Sequence, residues 1–230
     1  MLQTQTPPNS LSSDPTDWLA LFAECDDQNS HLTSPPALAL RTLAILNPPF
    51  GKQTLQREMA QTYELGHHWR KSKADAEASP NSAWRRTGQV KPSTQLETLF
   101  LELALRSLAP GEVMVALVPN DMLADRESGA ARHWLMNEAQ LWASIQLPKE
   151  VWQAECKTGI ITSIVVFQKR QEPMDDYNIF MAVAKQCGFN SRGKPIPDSD
   201  LDTIAEGFRT FCQSSLPKNR TGYAALTHAG

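Results

Sequence analysis

Asn47, Pro48, Pro49 and Phe50 are the residues whose types and spacing could do chemistry. Asn47 carries a side-chain amide oxygen and Pro48 a main-chain carbonyl, two acceptors on adjacent residues. A proline fixes its own φ and biases the residue before it towards extended backbone. Asn47 and Pro48 both precede a proline, so three consecutive positions are constrained and the two acceptors can be held as a rigid array. Phe50 sets a ring beside them. Two fixed acceptors and an aromatic face suit a planar group bearing an amino substituent, such as an adenine taken out of the stack. Four such residues by themselves are more often a proline turn closing a strand, so the elements around them have to decide.

The apolar run Leu43-Ala44-Ile45-Leu46 leads into the motif and reads as a buried strand. Residues 54 to 66 could be helical, with Leu55, Met59, Tyr63 and Leu65 on one side. Residues 94 to 108 form an amphipathic helix: Thr94 and Glu97 have capping-box spacing, and Leu96, Leu99, Phe100, Leu103, Ala104 and Leu108 follow the helical repeat. Val113 to Val118 is nearly continuous in apolar residues, as in a parallel strand covered on both faces. A helix from about Arg126 to Glu138, a strand Leu141 to Leu147 stopped by Pro148, and a strand Ile160 to Phe167 follow. Strands alternating with helices imply an α/β fold with a mostly parallel sheet. The last two strands, joined without a helix, imply an antiparallel member near one edge. Tyr177 to Cys187 suggests a short helix, Asn190 to Gly193 a turn, and Leu201, Ile204, Ala205, Phe208 and Phe211 one face of a final helix.

Between residues 66 and 93 periodicity is lost, and Trp69, Arg70, Lys71, Trp84, Arg85 and Arg86 interleave bases with aromatics. A long loop of this composition fits a surface that contacts a nucleic-acid backbone and stacks on bases, or equally a solvated insertion whose tryptophans pack locally. His67-His68 lacks a third ligand at metal spacing, so no metal is expected.

The chain has 230 residues, 41% of them hydrophobic, and a formal net charge of −3. It can build a sizeable core, and any nucleic-acid contact has to come from a local patch. Cys25, Cys156, Cys187 and Cys212 are scattered without a CxxC pair, as reduced thiols are. No run is long and apolar enough for a membrane span and no signal-peptide pattern opens the chain, so a cytoplasmic protein is expected. Three regions follow: residues 1–35, rich in Pro, Ser, Thr, Gln and Asn, as a weakly ordered tail; 36–172 as an α/β domain with the basic insertion 66–93; and 173–230 as a helical extension.

Read in order, Asn47-Pro48-Pro49-Phe50-Gly51, Tyr63-Glu64-Leu65-Gly66, Glu97-Thr98-Leu99-Phe100-Leu101-Glu102, Leu108-Ala109-Pro110-Gly111, Val118-Pro119, Ser144-Ile145-Gln146-Leu147-Pro148 and Lys157-Thr158-Gly159 with Thr162-Ser163 resemble the adenine-specific DNA methylase family. This is the family of type I restriction-modification modification subunits. Tyr177 to Ala182 and Gly188-Phe189 resemble its segment after the sheet, so the likeness covers roughly residues 40 to 212. Each piece is weak and the ordered set is specific. The resemblance implies the second half of a class I methyltransferase (Rossmann-like) sheet, DNA as substrate, S-adenosylmethionine as methyl donor, and cooperation with a specificity subunit. It implies that Asn47 and Pro48 accept from the exocyclic amine of a flipped adenine, that Phe50 stacks on it, and that Pro49 stiffens the array.

One departure matters. In the family the donor site is built mostly upstream of the catalytic motif, on a strand with a glycine-rich turn. The stretch before Asn47 contains no glycine. The resemblance therefore implies a split or truncated subunit, with the donor site incomplete in this chain and supplied by a partner chain. Two other functions stay open: a non-catalytic DNA-binding or assembly subunit, and a protein methyltransferase acting on glutamine amides. The latter family typically has tyrosine in the place of Phe50 and lacks the basic insertion.

Overall fold

The computed structural model describes residues 41–72, 84–171 and 176–215. The tail expected over residues 1–35 and the tip of the basic insertion lie outside them. Strand β1 (Arg41–Leu46) carries the motif at its C-terminal end. A five-stranded sheet is built from β1, β6 (Leu108–Pro119), β7 (Ala139–Gln146), β8 (Thr162–Lys169) and β9 (Phe180–Val183), in the order β1-β6-β8-β7-β9. β1 runs parallel to β6 and β7 parallel to β9, while β8 is antiparallel to both of its neighbours. Four strands thus point one way and one the other, the mixed α/β sheet expected. Among the described residues the antiparallel strand is the central one, clasped between β6 and β7, and not near an edge as expected, because β9 adds outside β7.

Helix α1 (Arg57–Gln61) comes before α2 (Leu96–Ser107), α3 (Asn120–Ala124) and α4 (Gly129–Glu138). The side chains of α1, α2 and α4 bury the first face of the sheet: Met114, Ala116 and Val118 of β6 and Val165 and Phe167 of β8 meet Leu99, Leu105, Trp134 and Leu135. Full burial of a leucine such as Leu99 contributes about 1.5–3 kcal/mol relative to leaving it in water. On the other face Val113, Trp142, Ala143 and Val166 form a smaller cluster with Phe180 and Phe208. The last helix, α6 (Leu201–Ser215), supplies Phe208 and Phe211, whose centroids lie 5.5 and 5.8 Å from that of Phe180.

Several expectations change. The helix read over 54–66 is confined to α1, and Tyr63 and Leu65 reach the core from a turn instead. Thr94 and Glu97 make no capping box; α2 starts at Leu96 with no side-chain cap, and the Glu97 carboxylate is used elsewhere. The basic insertion is a hairpin rather than a loop: β3 (His67–Lys71) pairs with β4 (Trp84–Val90). The helix read over 177–187 is instead β9, with Phe180 and Ala182 half-buried and Met181 and Val183 exposed, and β10 (Cys187–Phe189) pairs with β11 (Pro195–Ser199) before α6. The region 173–230 is therefore not purely helical, and its first strand belongs to the main sheet. A four-residue apolar run cannot declare its period, and here strand pairing with β7 decided it. Finally, β1 borders the sheet among the described residues, and Ile45, read as buried, is 74% exposed.

Candidate active site

The C-terminal ends of β1, β6 and β7 and the N-terminal end of β8 share one edge of the sheet. Residues 47–50 leave β1 there without regular structure, as two prolines and a lost ladder require. Asn47 is exposed, Pro48 buried, and Pro49 and Phe50 half-buried. The loop is therefore anchored by a buried proline while its amide faces solvent. Gly51 then turns the chain with φ of 120°, a conformation open to glycine. A short ribbon follows: β2 (Lys52–Thr54) pairs antiparallel with β5 (Ser93–Gln95), which runs directly into α2.

Gly51 is held on both sides by the start of α2. Its N–H donates to Glu97 Oε2 at 3.1 Å, and its carbonyl accepts from the Leu96 N–H at 3.0 Å. Glu97 is 4% exposed, and burial raises its carboxyl above the ordinary range; hydrogen bonds from main-chain N–H groups, that of Gly51 among them, oppose the shift, and the charge of Asp125 adds to it.

The wall facing Phe50 comes from α5 (Glu150–Cys156), between β7 and β8. Trp152 meets the Phe50 ring edge to face, centroids 5.7 Å apart. Its indole N–H donates to Thr162 Oγ1 at 2.9 Å, which fixes the ring against β8. Below runs a polar relay. Ser163 Oγ donates to Asn120 Oδ1 at 2.6 Å, and Asn120 Nδ2 donates to Gln146 Oε1 at 2.9 Å. The ends of β6, β7 and β8 are thus laced together under the loop. Neither Glu97 nor Trp152 stood out in the sequence as a site residue. Glu97 has the spacing of a capping box, and Trp152 lies on α5, a helix between two strands that the sequence reading joins without one.

The hairpin residues are placed differently. Trp69 donates its indole N–H to the Glu64 carbonyl and meets His133 of α4 edge to face at 6.0 Å. Trp84 packs against α4 at Gly129, where an added Cβ would come 2.7 Å from its ring. Both tryptophans therefore pack locally. Arg86 pairs with Glu64 at 2.7 Å. Arg70, Lys71 and Arg85 are exposed, and Arg70 stands directly opposite Arg85 across the ladder, an arrangement that like charges disfavour. A cavity of about 900 Å³ lies between the hairpin and α4, lined in part by Lys71, Trp84, Arg126, Arg132, His133 and Arg170; no residue of the Asn47–Phe50 loop lines it.

The hairpin root is fixed to α2. Glu102, fully buried, accepts from the N–H groups of Glu64 and Leu65 at 2.7 and 2.8 Å and pairs with Arg106 at 2.8 Å. Its carboxyl is raised by burial and lowered by Arg106 and the two N–H groups. Among the described residues no group of His, Cys, Asp and Glu could hold a metal ion, and no helix is long and apolar enough to cross a membrane.

No curated protein matches this chain. Solved structures resemble parts of it. A Listeria monocytogenes protein described provisionally as a class I S-adenosylmethionine-dependent methyltransferase is 19% identical with a TM-score of 0.45, over 63% of this chain and 36% of that one. A chain from a type I R-M system, solved for its complex assembly and conformational transition, is 19% identical with a TM-score of 0.49, over 76% and 30%. The M protein of the type I restriction enzyme EcoKI is 19% identical with a TM-score of 0.36, over 56% and 21%. This chain thus spans about a third or less of the length of each. The family model described as N-6 DNA Methylase matches residues 42–229, so the loop after β1, the ribbon behind it and both aromatic walls fall within the match, and the chain belongs to that family.

Proposed function

We propose that this chain grips an adenine, turned out of a DNA duplex, as part of an adenine DNA methyltransferase in a restriction-modification system. One observation carries the reading: Asn47 to Phe50 leave the strand end with the amide exposed and Phe50 set against Trp152. The exocyclic amine donates one hydrogen to Asn47 Oδ1 and the other to the Pro48 carbonyl. Both acceptors draw the amine nitrogen towards a tetrahedral form and fix the direction of its lone pair. Phe50 offers a face for the base, and Trp152 a second aromatic surface beside it. No side chain here needs to form a covalent bond to the base.

The donor implied by the family is S-adenosylmethionine, which supplies an electrophilic methyl group. In this reading the donor site is shared with a partner chain; that no turn among the described residues is glycine-rich between a strand and a helix supports it. A partner chain carrying that half, and a specificity subunit choosing the DNA sequence, complete the proposed system. Exposed Arg70, Lys71 and Arg85 of the hairpin supply phosphate contacts.

The test is Asn47→Ala with transfer of labelled methyl groups to DNA, measured with the partner chain present. Incorporation is expected to fall at least about a hundredfold, the loss typical of one preorganised polar contact, with duplex binding unchanged. Persistence of methylation would make the chain a DNA-binding or assembly subunit. Calorimetry of S-adenosylmethionine with this chain alone is expected to give no binding; robust heat would overturn the divided donor site.

A further inference from the structure

We propose that Glu97 is a positioning residue for the acceptor array, holding the Asn47–Phe50 loop in register through the peptide unit of Gly51. The inference rests on the adenine-gripping reading for its functional meaning and on separate geometry for its mechanism.

A loop that presents two acceptors has to be fixed at both ends. On one side β1 is locked to β6 from Leu43 to Leu46. On the other side, the flexible joint is Gly51, which lacks a Cβ and so can adopt its φ of 120° and others besides. The prolines cannot help there, since they constrain the residues before Phe50 and not those after it. Two consecutive residues of α2 close this joint. Leu96 donates its N–H to the Gly51 carbonyl, and Glu97 accepts the Gly51 N–H, so the peptide groups on both sides of the Gly51 Cα are oriented. Lys52 then pairs with Gln95, which extends the grip by one residue.

The side chain chosen for this is costly. A carboxylate with 4% exposure loses most of its hydration, and a charge-assisted hydrogen bond from a main-chain N–H is the kind of partner that offsets the loss. Glu97 lies in the first turn of α2, where the helix dipole favours negative charge. The carboxylate interacts with its own main-chain N–H in that first turn and also reaches Gly51, 46 residues away in sequence, so it ties the loop to the start of the helix.

The experiment uses the full chain. Amide hydrogen exchange at Gly51 is followed by NMR, and binding of 2′-deoxyadenosine, which carries the exocyclic amine, is followed by chemical-shift titration. In Glu97→Ala, Gly51 exchange is expected to rise at least about tenfold while that of Leu99 changes little, and nucleoside affinity to fall about tenfold. Glu97→Gln keeps an acceptor and is expected to stay within about threefold of wild type on both measures. Should the alanine variant fail to fold, Glu97→Asp, one methylene short of Gly51, is expected to behave as described for alanine. Unchanged Gly51 exchange and unchanged affinity in a folded Glu97→Ala or Glu97→Asp variant would overturn the proposal, as would a lower melting temperature with exchange and affinity both unmoved. If the wild-type chain does not bind the nucleoside but Gly51 exchange responds as stated, the adenine reading falls and the clamp stands.

Discussion

The ring of Trp152 meets that of Phe50 edge to face, with centroids 5.7 Å apart and planes at 72°. The two residues come from different connections, one after β1 and one between β7 and β8, and meet where the strand ends converge. Such a pair contributes about 0.5–1.5 kcal/mol beyond the area it buries. Trp152→Ala is therefore expected to weaken 2′-deoxyadenosine binding about tenfold, within the range of one aromatic contact to a base. Trp152→Phe keeps a ring while losing the bond to Thr162, and should fall in between. Chemical-shift titration of the three proteins checks the order; equal affinity in all three would remove Trp152 from the site.

Glu102 ties the turn before the hairpin to α2 through two main-chain N–H groups and Arg106. Glu102→Gln replaces one acceptor oxygen with an amide nitrogen that faces a donor. A buried group so stranded costs about 1–3 kcal/mol. Urea unfolding should show that loss, with little change in the slope against denaturant.

Gly66 owes its identity to space. An added Cβ would lie 2.1 Å from the Ala60 carbonyl oxygen, a main-chain atom that cannot rotate aside. Gly66→Ala is expected to destabilise the chain by about 1–3 kcal/mol, the usual penalty of overpacking. A melting temperature equal to that of wild type would contradict it.

His133 gives the hairpin contact a pH dependence. Burial lowers its pKa below the ordinary 6.5, so the folded state favours the neutral ring that faces Trp69. A base with a depressed folded pKa adds stability that is present above its unfolded value and lost as pH falls through the folded one. Protection factors of the β3 and β4 amides, taken relative to the intrinsic exchange rate at each pH, should therefore fall on acidification below about 6.5. His133→Phe keeps a ring without the titration and should flatten that profile.

Regular, long segments were legible in the sequence. The alternating order from β1 to β8 follows from apolar runs and proline or glycine stops, and the four-residue motif could be named because two prolines constrain their neighbours wherever they occur. What escaped notice depends on partners far away in sequence. Glu97 has the spacing of a cap, and only the position of Gly51 gives it another use. Trp69 and Trp84, interleaved with bases, read as a stacking surface, but α4 stands in reach and takes both rings. Phe180 to Val183 is too short to show a period, and its pairing with β7 came from register set elsewhere. The opposed Arg70 and Arg85 could be aligned only once the hairpin register was known.

Ile45 sits 74% exposed on β1, beside a row of main-chain groups that no described strand pairs. Such a border is adhesive. A flat apolar strand with open donors and acceptors is a template on which another strand, from a cognate chain or from a second copy, can add. The apparent molecular mass of the isolated chain should then rise with its own concentration in light scattering, and Ile45→Lys, which places a charge on the border, should hold it constant. On that expectation self-association runs through the same strand that carries the acceptor loop, and an occupant of that border lies beside the residues leading into the array.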